Sequence, residues 1–225
     1  MIPFLAVFFI VASVSPVFGW HHKTHIAVAK AAGYKRWYNA AAADVTKLKV
    51  GNLENYNHIF RNTDNREVTP AMVLEQENRY DDPDDREGHL YGAILASLRH
   101  YEETGNKYHL DFCAHYAGDL SQPLHNTPND GFNKRNHFTG DGTVNHEVLN
   151  NIGEIEKNMY PIDLRPGYFM KDISKEIARI AEASRKLSYQ LRRENRNLTR
   201  EEAYIQLGHS ASLFRAILTH LGEIR

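Results

Sequence analysis

His115 and Asp119 stand four residues apart in the run HLDFCAHYAGDLSQPLH, so on a helix they project from one face, a turn apart, and can share a metal ion. Pro123 follows, and its ring clashes with the carbonyl of residue 119, which ends or bends the helix there. His125 is therefore aimed differently and can ligate a neighbouring ion. Twelve residues further on, His137 and Asp141 repeat the same spacing. One such pair alone reads more readily as a hydrogen-bonded surface pair, but several in one chain point to metal chemistry. The run WHHKTH adds Trp20 and His25. Cleavage after Gly19 would free the Trp20 amine beside its own carbonyl, and such an amine has a pKa low enough to yield its proton to a metal. The competing reading makes Trp20 an aromatic anchor and leaves the HHKTH cluster exposed.

The elements that must carry these residues read as helices, with almost no alternating strand pattern, so the fold class is all-α. A first helical pattern runs from Thr24 to Asp44, with Gly33 as a possible break. Thr69 and Pro70 form an N-cap and first-turn proline for AMVLEQENRY. The acidic run DDPDDREG reads as a solvated loop. Two helices follow, from Gly88 to Glu103 and from Lys107 toward Pro123. The stretch Asn126 to Gly142, rich in Asn, Gly and Asp, predicts an irregular loop that needs an external tie. A short helix is expected near Val144 to Asn158. Two long amphipathic helices close the chain, one from Asp172 to Glu194 and one opened by the Thr199/Glu202 capping box.

A chain of 225 residues is large enough for one domain with its own core, and nothing in it marks a linker or a repeat. Residues 2–18 carry no charge, and the abrupt change after Gly19 has the profile of a secretory signal, although Lys or Arg is missing before the apolar run. Residues 1–19 are thus expected to be a signal peptide and residues 20–225 the mature domain, secreted or periplasmic; an uncleaved anchor is the alternative. Cys113 is the single cysteine, so internal disulfides cannot hold the loops and metal ions would do so. The net charge of −1 supplies no long-range field for polyanions.

The segment His115-Tyr-Ala-Gly-Asp119-Leu-Ser-Gln-Pro-Leu-His125 resembles the central HxxxD-xxxxx-H segment of the zinc-dependent phospholipase C and S1/P1 nuclease superfamily. In that family an N-terminal Trp, five His and three carboxylates hold three zinc ions in a cleft of an all-helical domain. The resemblance implies Trp20 and His25 as N-terminal ligands, Asp44 and His58 as a further pair, and His137 with Asp141 as the closing pair. It implies one Zn²⁺ on Asp44, His58, His115 and Asp119, a second on the Trp20 amine and carbonyl, His25 and the other Asp119 oxygen, and a third on His125, His137 and Asp141. The Trp20 to Asp44 spacing is shorter than is usual in the family, which leaves Asp64 as a rival for Asp44 and His89 as a rival for His58. His146 rivals His137, but Asn150, four residues beyond it, is a weaker zinc ligand than Asp141. His100, His109, His209 and His220 show no partner pattern.

The activity implied is hydrolysis of phosphoric esters by a metal-bridging hydroxide, with Asp119 bridging and Asp44 either accepting a proton or purely positional. A phospholipase C-type phosphodiesterase is the first expectation, since no aromatic and basic platform for single-stranded bases is evident. An S1/P1-type nuclease is the alternative, favoured by the short Trp20 to His25 spacing and by Asp at position 141. A noncatalytic metal-binding periplasmic protein is the alternative of another class. The basic run RKLSYQLRRENRNLTR reads first as a solvated helical face. The substrate is the only partner expected, phospholipid or nucleic acid, and the protein is expected to be a monomer.

Overall fold

The computed structural model describes residues 20–224, and the expected signal segment, residues 1–19, lies outside them. Every regular element among the described residues is helical. The first helix, α1 (His22–Ala31), stops before Gly33, which takes φ +87°, a left-handed conformation that glycine adopts without a Cβ clash. A 3-10 turn at Trp37–Asn39 leads into α2 (Ala42–Val50), so the expected helix from Thr24 to Asp44 is divided at that glycine. The short α3 (Asn52–Asn55) runs into a second 3-10 turn, Tyr56–His58.

In α4 (Pro70–Gln76) the Thr69 hydroxyl accepts a hydrogen bond from the Met72 amide at 3.3 Å, the cap that the Thr-Pro pair predicts. The acidic run 81–88 forms turns ahead of α5 (Leu90–Thr104). α5 packs along α6 (Lys107–Leu120), whose start is capped by the Asn106 side chain. α6 ends before Pro123, and a 3-10 turn at Pro123–Asn126 redirects the chain as the proline requires.

The expected loop from Asn126 to Gly142 is largely a helix, α7 (Gly131–Gly142). Three glycines and three asparagines or aspartates lower its intrinsic propensity, yet the Asp130 carboxylate caps it by accepting the Asn133 amide at 3.0 Å. The external tie is Arg192, which bonds Asp130, the Thr127 hydroxyl and the Pro128 carbonyl. After α8 (Ile152–Lys157), α9 (Phe169–Glu194) buries Ile173, Ile177, Ile180 and Leu191 along one face. The last helix, α10 (Arg200–His220), carries the full capping box of Thr199 and Glu202.

The larger core brings together Leu90, Ile94 and Leu98 of α5, Leu110 and Ala117 of α6, Ile173 and Ile180 of α9, and Phe214 and Ile217 of α10. A second cluster gathers Trp20, Val28, Val144, Ile155, Leu191 and Leu207. Cys113 is buried and unpaired, so no disulfide supports either cluster. No described helix is long and apolar enough to cross a membrane.

Candidate metal centre

α6 runs through the centre of the site because its sequence leaves almost no polar face: residues from Leu110 to Leu120 are all buried. A buried His115 and Asp119 must then find polar partners inside the protein. Asp119 finds four imidazoles. Its Oδ2 lies 2.9 Å from His58 Nδ1 and 3.3 Å from His115 Nε2, while its Oδ1 lies 3.3 Å from His125 Nδ1 and 3.5 Å from His25 Nε2. The carboxylate thus divides its two oxygens between two sets of rings.

Each ring is delivered by a different element. α1 supplies His25, whose ring stacks on His115 with centroids 3.6 Å apart. That approach requires Gly118, because a Cβ there would stand 2.5 Å from His25 Nδ1. The turn Tyr56–His58 supplies His58, and the turn after Pro123 supplies His125. α7 supplies His137 and Asp141, one helical turn apart, with His137 Nε2 2.9 Å from His125 Nε2 and 3.4 Å from Asp141. α2 supplies Asp44, 3.6 Å from His115 Nε2.

Three groups of these side chains place their ligand atoms within 4.8 Å of one another: His25, His115 and Asp119; Asp44, His58 and His115; and His125, His137 and Asp141. Each could hold a metal ion. The fit rests on polar atoms that converge unsatisfied: Asp119 Oδ1, Asp141 Oδ2 and His125 Nδ1 are buried with no hydrogen bond. Ring orientation is set from behind. His115 Nδ1 lies 2.7 Å from the Ala40 carbonyl, and His58 Nε2 lies 3.2 Å from Glu54 Oε1. Gln122 donates to Asp141 in the same manner.

Burial governs the titration of the metal-free groups. It pushes His25 down to about 3, assisted by the neighbouring His115, and pushes His137 down to about 4. His125 is lowered for the same reason. Burial also raises Asp141 well above the usual carboxylate range. For Asp119 burial acts in the same upward direction, but His115, His125 and His25 outweigh it and hold the group well below its ordinary value. Burial likewise opposes the charged form of His115, and Asp44 and Asp119 overcome it.

All eight His and Asp side chains expected as ligands therefore lie in one cluster, drawn from residues 25 to 141. The Trp20 indole packs in the second core cluster, as an aromatic anchor would, and the fate of its amine depends on the bond to Gly19, outside the described residues. The rivals are elsewhere. Asp64 is 76% exposed, and His146 and Asn150 are exposed. His89 is buried but bonds Asn57 at 2.7 Å and Asp85 at 3.0 Å. His100, His109, His209 and His220 are half-buried at helix faces.

Two residues escape a reading of the sequence. Lys47 is buried with its amine 3.1 Å from Asp44, and His22 lies 3.2 Å from the other Asp44 oxygen. Lys47 follows Asp44 by one helical turn, which was the available signal. A groove of about 760 Å³ lies away from the cluster, between α9 and α10, and is lined by Arg185, Tyr189, Arg193 and Gln206. Several arginines of the basic run 185–200 are paired: Arg185 bonds Glu182, Arg196 bonds Glu202 and Arg200 bonds Glu147. No protein-family model matches this chain, and neither a curated protein nor a solved structure matches it.

Proposed function

We propose that the protein is a zinc-dependent hydrolase of phosphoric esters, a phospholipase C-type phosphodiesterase holding three Zn²⁺ ions and exported after removal of residues 1–19. The observation that carries the reading is the division of the Asp119 oxygens between two sets of imidazoles, which suits a carboxylate bridging two metals. Divalent ions in such groups supply Lewis acidity and make bound water acidic near neutral pH. His125, His137 and Asp141, of which His137 is the most exposed of the eight ligand side chains at 9%, would position the phosphate. Asp44 and Asp119 keep their negative charge in the metal-free protein, so both are ready to bind cations. The Lys47 ammonium adds a fixed positive charge beside Asp44.

Support for a lipid substrate comes from the apolar residues around this centre. Leu48 is 67% exposed and Val45 is 48% exposed on the helix that carries Asp44, and Phe138, beside His137, is 69% exposed. Phe138 also supports the S1/P1-type nuclease reading, because an exposed ring offers a face for base stacking. The complete burial of His25, His115 and Asp119 favours the reading in which metals only brace the fold.

One paired assay separates these. Metal-loaded protein is expected to hydrolyse bis-p-nitrophenyl phosphate and to stop on addition of a chelator; zinc-loaded protein with no turnover leaves the bracing role. Short-chain phosphatidylcholine is expected to be cleaved faster than single-stranded DNA or RNA, and the reverse order assigns the nuclease.

A further inference from the structure

Arg61 differs from the other arginines around the site. Arg66 pairs with Glu87 at 2.6 Å, Arg79 pairs with Asp85 at 3.2 Å, and Arg192 pairs with Asp130. The Arg61 guanidinium makes no hydrogen bond or ion pair among the described residues, and its Nε is buried without an acceptor. Its one neighbour of note is the Tyr56 ring, with the centroid 5.7 Å from Cζ. A buried donor left unpaired is costly, and a guanidinium presents a planar fork shaped for an oxyanion.

The backbone holds this fork beside the metal centre. The Phe60 amide donates to the His125 carbonyl at 2.8 Å, and the Arg61 amide donates to the Glu87 carbonyl at 2.7 Å. Residues 59–61 are thereby clamped between the turn that carries His125 and the loop before α5. Arg61 and His137 then border one recess, together with Ile59, Leu124, Thr127, Asn129 and Asn133. None of these is acidic, so nothing in the lining neutralises the guanidinium. The recess is about 10 Å³, roughly the space of one water, which is too small for a nucleobase or an acyl chain.

We propose that Arg61 forms a subsite for a second phosphate, carried by the head-group alcohol that stays esterified to the scissile phosphate when diacylglycerol departs, while the scissile phosphate lies at His125, His137 and Asp141. The assignment rests on the phosphoesterase reading above and narrows it: a phosphorylated head group is preferred to the same head group without its terminal phosphate. The fork binds that phosphate at the mouth of the recess, where no carboxylate competes.

The test compares zinc-loaded wild type, Arg61→Gln and Arg61→Lys on short-chain phosphatidylglycerol phosphate and phosphatidylglycerol, substrates that differ by one phosphate. Wild type is expected to favour the phosphorylated member by about tenfold or more in kcat/KM, as one charge-assisted contact allows. Arg61→Gln should bring the ratio near one, and Arg61→Lys should keep part of it, since the charge remains and the fork is lost. Arg66→Gln, which alters a neighbouring surface pair, should leave the ratio unchanged. A ratio near one in wild type, or an equal ratio in Arg61→Gln, overturns the subsite. A preference seen only between thymidylyl-thymidine with and without a terminal phosphate overturns the lipid assignment. Calorimetric binding of glycerol 1,3-bisphosphate against glycerol phosphate needs no turnover. Arg61-dependent binding without any hydrolysis keeps the subsite and sinks the phosphoesterase reading; hydrolysis of bis-p-nitrophenyl phosphate with no Arg61-dependent ratio does the opposite.

Discussion

Glu54 Oε1 lies 3.2 Å from His58 Nε2, at the ring nitrogen opposite the one that faces Asp119. The carboxylate is buried, accepts the Tyr116 hydroxyl and is also within reach of the Asn57 amide. A proton on His58 Nε2, facing this carboxylate, would leave Nδ1 as the metal-facing lone pair. Glu54→Gln should therefore lower zinc affinity by about 10–100-fold, the usual loss when an outer carboxylate is removed from a metal-bound histidine. Competition with a chromophoric chelator measures it. Wild-type affinity in the variant would mean that His58 is not a ligand through Nδ1.

Gly118 and His25 make a second prediction, concerning close packing rather than charge. A methyl group at 118 meets His25 Nδ1 at 2.5 Å, well inside van der Waals contact, and both residues are in helices that cannot easily shift. Gly118→Ala should cost about 1–3 kcal/mol of stability, as overpacking commonly does, and should reduce bound zinc. Thermal unfolding and metal analysis of the purified variant check both.

Asp119 serves four rings, whereas Glu147 serves a surface pair with Arg200 and Tyr204. Asp119→Asn should remove metal and most of the stabilisation that metal confers, lowering the Tm of zinc-loaded protein sharply. Glu147→Gln should change Tm little. Equal effects would mean that the bridge has been misplaced.

Proton linkage supplies a fourth. In the metal-free protein Asp141 is raised well above the carboxylate range by burial, and His115 is raised by Asp44 and Asp119 against the pull of burial. Metal ligation needs both deprotonated, so zinc loading should release protons and apparent affinity should increase with pH. Calorimetry in buffers of different ionisation enthalpy measures the release. The metal-free fold has its own pH dependence. His25, depressed to about 3, and His137, depressed to about 4, stay neutral where the unfolded chain protonates near 6.5. Their contribution is present above 6.5 and is lost as pH falls toward 4, and His125 acts in the same direction. His115 and Asp141 oppose them, both being raised, while the depressed His21, His89 and His209 add to the three. Denaturant unfolding of chelated protein should give lower stability at pH 5 than at pH 7.

How far the site was legible depends on the range of the interactions involved. His115, Asp119 and His125 are close in sequence, and a helix followed by a proline dictates their relative aim, so their grouping could be read directly. Asp44 and His58 were reachable only through resemblance, with Asp64 and His89 open as rivals. What separates them is burial: Asp64 faces solvent, and His89 is consumed by Asn57 and Asp85. Lys47 offered only its one-turn spacing from Asp44, and Arg61 carried no pattern at all, because its significance lies in what surrounds its charge.

The sequence by itself determined the local elements. Apolar spacing, the Thr69 and Thr199 caps, Gly33 and Pro123 act within a few residues, so α4, α6 and α10 follow from short-range physics. Only the tertiary structure decided that residues 131–142 are helical, since their Gly and Asn content argues for a loop until the Asp130 cap and the Arg192 tie from α9 are in place. It alone also decided the meeting of α1, α2, α6 and α7 around Asp119. The physical reason is that a buried carboxylate must be satisfied by donors or cations, and the residues able to do so come from parts of the chain that only folding brings within reach.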